Sequence, residues 1–113
     1  MKSDKNYEEI KKVCTDYIEG LYSNNGENIE RDMHPELAKR NISENAIRHM
    51  TKDELVHRAT TNKYTRAEIM VEVLDIYKDI ATAKITSSYI DYAHLVKLNG
   101  IWQIINILWE FNK

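Results

Sequence analysis

The chain has 113 residues, a formal net charge of −2, 42% hydrophobic residues and 30% charged residues. This length suits one domain, so we predict a single domain over residues 1–113. The balance of apolar and charged residues is typical of a folded globular protein and excludes a disordered one. The net negative charge argues against a nucleic-acid partner, because phosphate neutralisation needs a concentrated basic surface.

The sequence predicts a cytoplasmic protein with no membrane partner. Its start, MKSDKNYEEIKK, is charged and shows no apolar segment of a secretory signal. The most apolar run, IWQIINILW, is interrupted by Gln103 and Asn106 and is too short to span a bilayer. The one cysteine, Cys14, cannot form an internal disulfide, which fits a reducing compartment.

The first part of the chain has the spacing of apolar residues that is typical of a helix. We predict a helix from Tyr7 to Ser23, with Asn6 and Glu9 as a capping box at its start. The helix is predicted to end at SNNG, where Gly26 or an asparagine adopts the left-handed conformation.

Two further helices and a hairpin are predicted before residue 65. A short helix over Glu27 to Met33 should stop before the His-Pro step, because the residue before proline disfavours the helical region. Residues 37–51 form two short segments around a polar turn, which indicates a small hairpin. Thr51 with Glu54 forms a capping box for a third helix, which is predicted to end near Asn62.

From Thr65 onward the hydrophobic period changes to two, which is typical of strands. The first strand, AEIMVEVLDIY, is predicted to place Ala67, Ile69, Val71 and Val73 on one face and Glu68, Met70, Glu72, Leu74 and Ile76 on the other. A second strand covers IATAKITSSYIDY. Two more strands in AHLVKLNGIWQIINILWEF are joined through Asn99-Gly100, a strong hairpin signal.

The last strand is apolar on both faces. Its predicted faces are Ile101, Ile105, Ile107, Trp109 and Phe111 on one side and Trp102, Ile104 and Leu108 on the other. The two tryptophans therefore lie on opposite faces unless a bulge intervenes. Because a strand with one solvent-exposed face should alternate, the second face is covered within the fold or by another subunit. We predict a homodimer through the sheet.

Helices followed by strands predict an α+β fold with helices on one face of a mostly antiparallel sheet. The segments CTDYIEGLYSNNGENI, HPELAKRNI, TKDEL and YIDYAHLVKLNGIWQIINILW carry a resemblance to a known family. With them the chain resembles the nuclear transport factor 2-like superfamily, and within it the putative lumazine-binding and SnoaL-like, polyketide-cyclase-like branch. The resemblance implies a cone-shaped, cystatin-like fold, with the N-terminal helices packed on a curved sheet. It also implies a pocket between the concave face of the sheet and the first helix.

Ketosteroid isomerases share this fold, and the resemblance implies candidate catalytic residues. Tyr17, in YIEGL, matches their oxyanion-binding tyrosine. Counting back from Asn99-Gly100 places His94 at the position of their second oxyanion donor, a neutral aspartic acid. Their general-base aspartate falls near Arg40, where this chain has no carboxylate, although Glu36 is close in sequence.

His94 and Tyr17 are therefore the candidate catalytic pair. A neutral imidazole and a phenol can both donate hydrogen bonds to an oxyanion in a dry pocket, and a histidine can act as an acid or a base near neutral pH. The alternative is that both residues belong to the core, with His94 bonded to Tyr17 or to a backbone carbonyl.

Candidate ligand-binding residues surround the expected pocket: Tyr17, His34, Glu36, Arg40, Tyr89, His94 and Trp109. His34, Glu36 and Arg40 are equally consistent with surface roles. The stretch from residue 39 to residue 66 is basic, with Lys39, Arg40, Arg48, Lys52, Arg58, Lys63 and Arg66 against Glu44, Asp53 and Glu54. It can serve a small anionic ligand or an acidic partner, although a solvated face is the more common explanation of such charges. The histidine spacing matches no metal motif, and no metal or cofactor is predicted.

These observations favour a small-molecule-binding protein with a mostly apolar pocket and an unknown, partly aromatic ligand. The first alternative is a cofactor-free isomerase, cyclase or dehydratase that uses His94 and Tyr17. It requires a carboxylate near the bound molecule, for which Glu36 and Asp91 are the candidates. The second alternative is a dimeric interaction module whose pocket is filled by its own side chains.

Overall fold

Three helices and six strands make up the part of the chain that the computed structural model describes, which is residues 5–61, 63–64 and 67–113. The helices are α1 (Lys5–Tyr22), α2 (Gly26–Asp32) and α3 (Lys52–Thr61). The strands are β1 (Met33–Ser43), β2 (Ala46–Thr51), β3 (Met70–Tyr77), β4 (Ile80–Thr86), β5 (Tyr89–Leu98) and β6 (Ile101–Phe111). None of these helices has the length and apolar content needed to cross a membrane.

The strands form one sheet in the order β2-β1-β6-β5-β4-β3. The β1–β6 pair is parallel, and the other neighbouring pairs are antiparallel. The helices pack on one face of this sheet, which confirms the predicted α+β class.

The core lies between α1 and the inner face of the sheet. Residues of α1 at helical spacing are buried there: Ile10, Cys14, Tyr17, Ile18 and Leu21. Opposite them, Ala83 of β4 pairs with Ala93 of β5, and both are fully buried. Because these side chains are short, the helix can approach the sheet closely.

The helix starts were predicted with mixed success. Asn6 lies inside α1, so the predicted capping box there was wrong. Its Oδ1 atom instead accepts hydrogen bonds from Lys97 Nζ at 3.0 Å and Trp102 Nε1 at 3.1 Å. Asn24 adopts the left-handed conformation after α1 with φ 55°, which confirms the asparagine version of the predicted exit.

The capping box of α3 is confirmed. The Thr51 backbone N–H donates to Glu54 Oε1 at 2.8 Å, and the Glu54 N–H donates to Thr51 Oγ1 at 3.3 Å. The predicted end near Asn62 falls on a residue outside the described part of the chain. The small hairpin before α3 is also confirmed, because β1 and β2 pair around Glu44 and Asn45, both with positive φ.

Two strand boundaries differ from the predictions. The stretch over residues 80–92 is two strands, because the chain turns at Ser87, whose N–H donates to the Tyr89 carbonyl at 2.8 Å. The first strand was predicted to begin at Ala67, but residues 67–69 are not in a strand, so β3 begins at Met70. Thr65, where the period was predicted to change, lies outside the described residues. The Asn99-Gly100 hairpin is confirmed, with φ of 53° and 80°.

A bulge in β3 changes which face its second half presents. Val73 pairs with Ala83 and Asp75 pairs with Thr82, so Leu74 is an extra residue in the strand. Ile76 consequently packs against the core together with Val73. The prediction that Ile76 lies on the opposite face was wrong, because a bulge reverses the alternation.

A second bulge lies in β6. His94 pairs with Asn106 while Leu95 pairs with Ile104, so Ile105 is the extra residue. Trp102 is buried and Trp109 packs against the same core. The prediction that the two tryptophans lie on opposite faces was therefore wrong.

Asp32 ends α2 with a buried carboxylate that is only 4% exposed. Its Oδ1 atom accepts a hydrogen bond from Arg31 Nε at 3.2 Å, whereas its Oδ2 atom has no hydrogen-bond partner among the described residues. Burial raises the pKa of Asp32 to about 6, although the Arg31 guanidinium opposes the shift. The ionised carboxylate therefore destabilises the fold at neutral pH.

Asp32→Asn is expected to stabilise the protein in a pH-dependent way. Because the folded-state pKa lies above the ordinary value of 3.8, the folded state binds the proton more tightly, and wild-type stability falls as pH rises between these values. In urea unfolding, the variant should gain up to about 3 kcal/mol at pH 8 and under about 1 kcal/mol at pH 4. The matched change at exposed Asp75, Asp75→Asn, should have little effect at either pH. An equal gain for Asp32→Asn at both pH values would contradict this explanation.

Candidate functional site

Three buried polar side chains from three different elements meet inside the cone. Tyr17 of α1 is 0% exposed, Lys39 of β1 is 9% exposed and Asp91 of β5 is 1% exposed. Lys39 Nζ donates to Tyr17 Oη at 2.7 Å, and the Tyr17 hydroxyl donates to Asp91 Oδ2 at 3.4 Å. We call these residues the buried triad. They form a hydrogen-bonded chain from an amine to a carboxylate.

Strand alternation places two members of the buried triad. On β1, Lys39 lies in phase with Leu37, and both are buried, whereas Arg40 is exposed. On β5, Asp91 lies in phase with the buried Ala93. Each charged residue therefore lies at a position where the alternation of its strand places buried side chains.

The ionisation states within the buried triad depend on one another. Burial raises the pKa of Asp91, although the Lys39 charge and the hydrogen bond from Tyr17 oppose the shift. Burial lowers the pKa of Lys39, which the Asp91 charge opposes and the Arg58 charge reinforces. Burial and the Asp91 charge raise the pKa of Tyr17 well above its usual value, so its hydroxyl stays protonated as a donor. Loss of either charged partner would leave the other buried without compensation.

A cleft opens above the buried triad, between α3, the β1–β2 hairpin and the end of β6. It consists of two adjoining cavities of about 410 and 190 Å³. Both cavities are lined by Lys39, Met50, Arg58, Trp109 and Phe111. The larger also contacts Asn41, Ser43, Arg48 and His49, and the smaller also contacts Leu21, Leu55, Tyr64 and Tyr89. The larger cavity alone falls in the usual range for small-molecule sites.

The cleft lies against α3 more than against α1. Helix α1 contributes only Leu21 to the described lining, whereas α3 contributes Leu55 and Arg58. The pocket was predicted between the sheet and the first helix, where α1 instead packs tightly on the sheet.

One wall of the cleft is aromatic. The Trp109 ring centroid lies 5.3 Å from that of Tyr89 and 5.1 Å from that of Phe111, both in edge-to-face geometry. Lys39 Nζ lies 5.6 Å from the centroid of the Trp109 ring, within the range of a cation–π contact. This wall offers flat surfaces against which a planar ligand can stack.

The charged groups of the cleft are cationic. Lys39, Arg48 and Arg58 line it, and its described lining contains no Asp or Glu. Basic groups beside an aromatic wall suit an anionic ligand with a flat body. No three His, Cys, Asp or Glu side chains of the described ranges gather closely enough to hold a metal ion.

Three of the sequence-predicted site residues come together. Tyr17 forms the floor beneath the cleft through the buried triad, and Tyr89 and Trp109 line the aromatic wall.

His94 and Arg40 lie elsewhere, on the exposed outer face of the sheet. His94 Nδ1 is 3.1 Å from Asn106 Nδ2, and Arg40 Nη1 donates to Asn106 Oδ1 at 3.3 Å. The structure therefore does not bring His94 to Tyr17, either as a catalytic pair or as core neighbours. The reason is strand phase: Asp91 is three residues from His94, and an odd separation places the two on opposite faces.

His34 and Glu36 lie near the start of β1 and outside the described lining of the cleft. His34 Nδ1 accepts a hydrogen bond from the Glu36 backbone N–H at 2.9 Å, which makes a local turn. Glu36 itself is exposed. These contacts match the surface alternative that the sequence left open.

Sequence reasoning missed Lys39 and Arg58 as site residues, although both fall in the basic stretch that it singled out. Asp91 was named only as a candidate carboxylate. A pattern in the sequence that could have identified such residues is one ionisable residue among apolar residues on the same face of a strand, as with Lys39 two residues after Leu37. Arg58 gave no comparable signal, because its place in the cleft lining depends on how α3 packs.

The fold and the family can now be stated together. The chain has the nuclear transport factor 2-like, cystatin-like fold. A family described as "Putative lumazine-binding" matches residues 5–110, so the chain belongs to this family. No protein with a curated function matches the sequence.

Solved structures share this fold at low sequence identity. A protein of unknown function from Shewanella baltica OS155 is 16% identical with a TM-score of 0.86, and the match covers 100% of this chain and 98% of that one. One from Methylobacillus flagellatus KT is 18% identical with a TM-score of 0.83, covering 99% and 96%. A putative ketosteroid isomerase from Shewanella frigidimarina NCIMB 400 is 12% identical with a TM-score of 0.60, covering 88% and 92%. These similarities show the fold alone.

Lys39→Met and Asp91→Asn are expected to be coupled in stability. Lys39→Met should cost about 3 kcal/mol at pH 7, because it leaves the Asp91 charge buried without its partner. The double variant should lose at least about 1 kcal/mol less than the sum of the single changes, since neither charge is then left alone. Urea unfolding of the four proteins measures this coupling.

The matched control is Lys84→Met on β4. Lys84 lies outside the described lining of the cleft, with its Nζ 5.9 Å from the centroid of the Tyr92 ring. Its replacement should change stability little and should add independently to Asp91→Asn. Simple additivity of Lys39→Met and Asp91→Asn would show that the buried triad does not couple the two charges.

Proposed function

We propose that the protein binds a small organic anion with a flat, partly aromatic body in the cleft above the buried triad. The observation that carries this proposal is the position of Lys39. Its amine belongs to the buried triad, lines both cavities and lies beside the Trp109 ring. The Lys39 amine is thus fixed where an aromatic wall meets a polar floor.

The lining supports separate contacts for the anionic group and for the planar body of the ligand. Lys39 and Arg58 would neutralise the anionic group, and Trp109 with Phe111 would contact the planar body. The family description refers to lumazine, a flat heterocycle, which supports a planar ligand. The cleft itself does not distinguish a pteridine from other flat rings, because aromatic surfaces and cationic groups would bind any planar anion.

A cofactor-free isomerase, cyclase or dehydratase is the second candidate, and the buried triad favours it. Tyr17 lies between an amine and a carboxylate, an arrangement that can pass a proton. Asp91 would supply the carboxylate that this chemistry needs, and Lys39 would take the place proposed for His94. The fold shared with a putative ketosteroid isomerase supports the comparison. A substrate leaves the cleft chemically changed, so analysis of the released molecule separates enzyme from binding protein.

The interaction module with a filled pocket receives less support. The larger cavity of about 410 Å³ supports a binding protein over a pocket that is filled by its own side chains. The cytoplasmic location stays a prediction.

The outer face of the sheet supports the proposed homodimer. Tyr92 and Leu108 are register partners on β5 and β6, and both are exposed. With Ile42, Ile90, Trp109 and Glu110 they line a groove of about 190 Å³ that is mostly apolar. A second copy of the chain could cover this apolar groove.

Binding of naphthalene-2-carboxylate tests the proposed function by isothermal titration calorimetry. The carboxylate should bind more tightly than the neutral naphthalene-2-carboxamide, because the cleft is cationic. Arg58→Gln should weaken carboxylate binding about tenfold, the size expected for one lost charge-assisted contact. The matched change on the outer face, Arg40→Gln, should have no effect. Equal binding of both probes with no effect of Arg58→Gln would contradict the proposal.

Leu108→Glu tests the dimer. A buried, unpaired carboxylate at the interface should convert a dimer to a monomer in native mass spectrometry. Leu98→Glu is the matched control, because Leu98 is equally exposed but lies six residues from Tyr92, about 20 Å along β5. A wild-type protein that is monomeric at all concentrations would overturn the dimer.

A further inference from the structure

We propose that Lys39 is a nucleophilic amine that forms a reversible imine with the aldehyde or ketone group of its ligand. This inference rests on the proposed function, because it uses the same cleft. It narrows the ligand class to aromatic or otherwise planar anions that carry a carbonyl group.

The surroundings of Lys39 differ from those of Lys52, the other lysine that is buried among the described residues. Lys52 Nζ forms an ion pair with Glu30 Oε2 at 3.0 Å. Lys39 has no carboxylate oxygen within 4.0 Å among the described residues, and its near partner is the Tyr17 hydroxyl. An amine that is bonded to a hydroxyl rather than to a carboxylate can lose its proton at less cost.

The geometry leaves the amine open to attack a ligand. Tyr17 Oη accepts one N–H of Lys39 from the floor, while Lys39 also lines both cavities. The lone pair of the neutral amine is therefore available on the cleft side. Burial, opposed by the Asp91 charge and reinforced by the Arg58 charge, lowers the pKa of Lys39 and so increases the fraction of neutral amine.

The buried triad also balances the protons of imine formation. The Lys39 ammonium passes one proton through the Tyr17 hydroxyl to the Asp91 carboxylate. The neutral amine then adds to the carbonyl carbon: the C–N bond forms, the carbonyl π pair moves to oxygen, and that oxygen takes a proton from nitrogen. The Asp91 proton returns through Tyr17 to the carbinolamine hydroxyl. The C–O bond breaks, water leaves and the nitrogen lone pair completes a protonated imine.

The rest of the cleft defines the carbonyl compound. Trp109 and Phe111 lie beside Lys39, so an aromatic ring next to the carbonyl would contact this wall. Arg48 and Arg58 carry the remaining positive charge of the lining and would receive an anionic group on the far side of the ring. An aromatic aldehyde with a carboxylate opposite the carbonyl fits both requirements.

Reductive trapping with 4-formylbenzoate tests the inference on the unaltered protein. Sodium cyanoborohydride reduces an imine to a stable secondary amine, and mass spectrometry of proteolytic peptides then locates the added group. Lys39 should be labelled at least about tenfold faster than Lys84, the size expected for one charge-assisted contact that holds the anionic aldehyde in the cleft beside Lys39. Excess naphthalene-2-carboxylate should slow labelling of Lys39 and leave Lys84 unaffected.

Variants assign the roles within the buried triad. Lys39→Arg should abolish labelling in the cleft, because it keeps the charge but removes the amine. Tyr17→Phe should slow labelling of Lys39 about tenfold or more by interrupting the proton path. Lys84→Arg, on the outer face, should leave labelling of Lys39 unchanged. The labelling experiment on the wild-type protein tests the inference even if a variant fails to fold.

The outcomes separate the two proposals. Labelling of Lys39 no faster than that of Lys84 would overturn the imine, whether or not the cleft binds anions. If naphthalene-2-carboxylate still binds in that case, the proposed function survives alone. If neither probe occupies the cleft, both proposals fail. Fast labelling at Lys39 that naphthalene-2-carboxylate suppresses supports both.

Discussion

The burial of Lys39 and Asp91 on either side of the Tyr17 hydroxyl is the constraint on which the rest of the site depends. Two opposite charges in a core are tolerated only when their positions are fixed and their hydrogen bonds are satisfied. Helix α1 must therefore dock with Tyr17 between two strands, and both strands must keep their phase. Strand β6 lies between β1 and β5, and its Trp109 is the register partner of Asp91. The aromatic wall and the polar floor are thus fixed by the same pairing.

The bulge at Ile105 makes this pairing possible. Without it, the alternation that buries Trp102 and Ile104 would direct Trp109 to the outer face. With the extra residue, side chains from both halves of β6 pack against the core. Leu108 then points outward beside Tyr92. One local irregularity therefore completes the aromatic wall and also exposes part of the apolar groove proposed to bind a second subunit.

Features that depend on neighbouring residues could be predicted from the sequence, and features that depend on register could not. The capping box of α3 and the Asn99-Gly100 hairpin are set by local hydrogen bonds and by positive φ. Bulges arise from how strands fit together in three dimensions, so the faces of β3 and β6 were predicted wrongly after Leu74 and Ile105. The same limit applies to the site. Counting back from the Asn99-Gly100 turn selected His94, whereas the alternation of β5 places Asp91 on the inner face. No local sequence pattern predicts that α3 brings Arg58 to the cleft.

A crystal structure of the protein with naphthalene-2-carboxylate would test most directly whether the cleft above the buried triad is the ligand site. We expect the naphthalene ring against Trp109 and the carboxylate within hydrogen-bond distance of Lys39 or Arg58. The Lys39–Tyr17–Asp91 hydrogen bonds should persist beneath it. A ligand bound only in the groove of Tyr92 and Leu108 on the outer face, with the cleft empty, would contradict the proposed site.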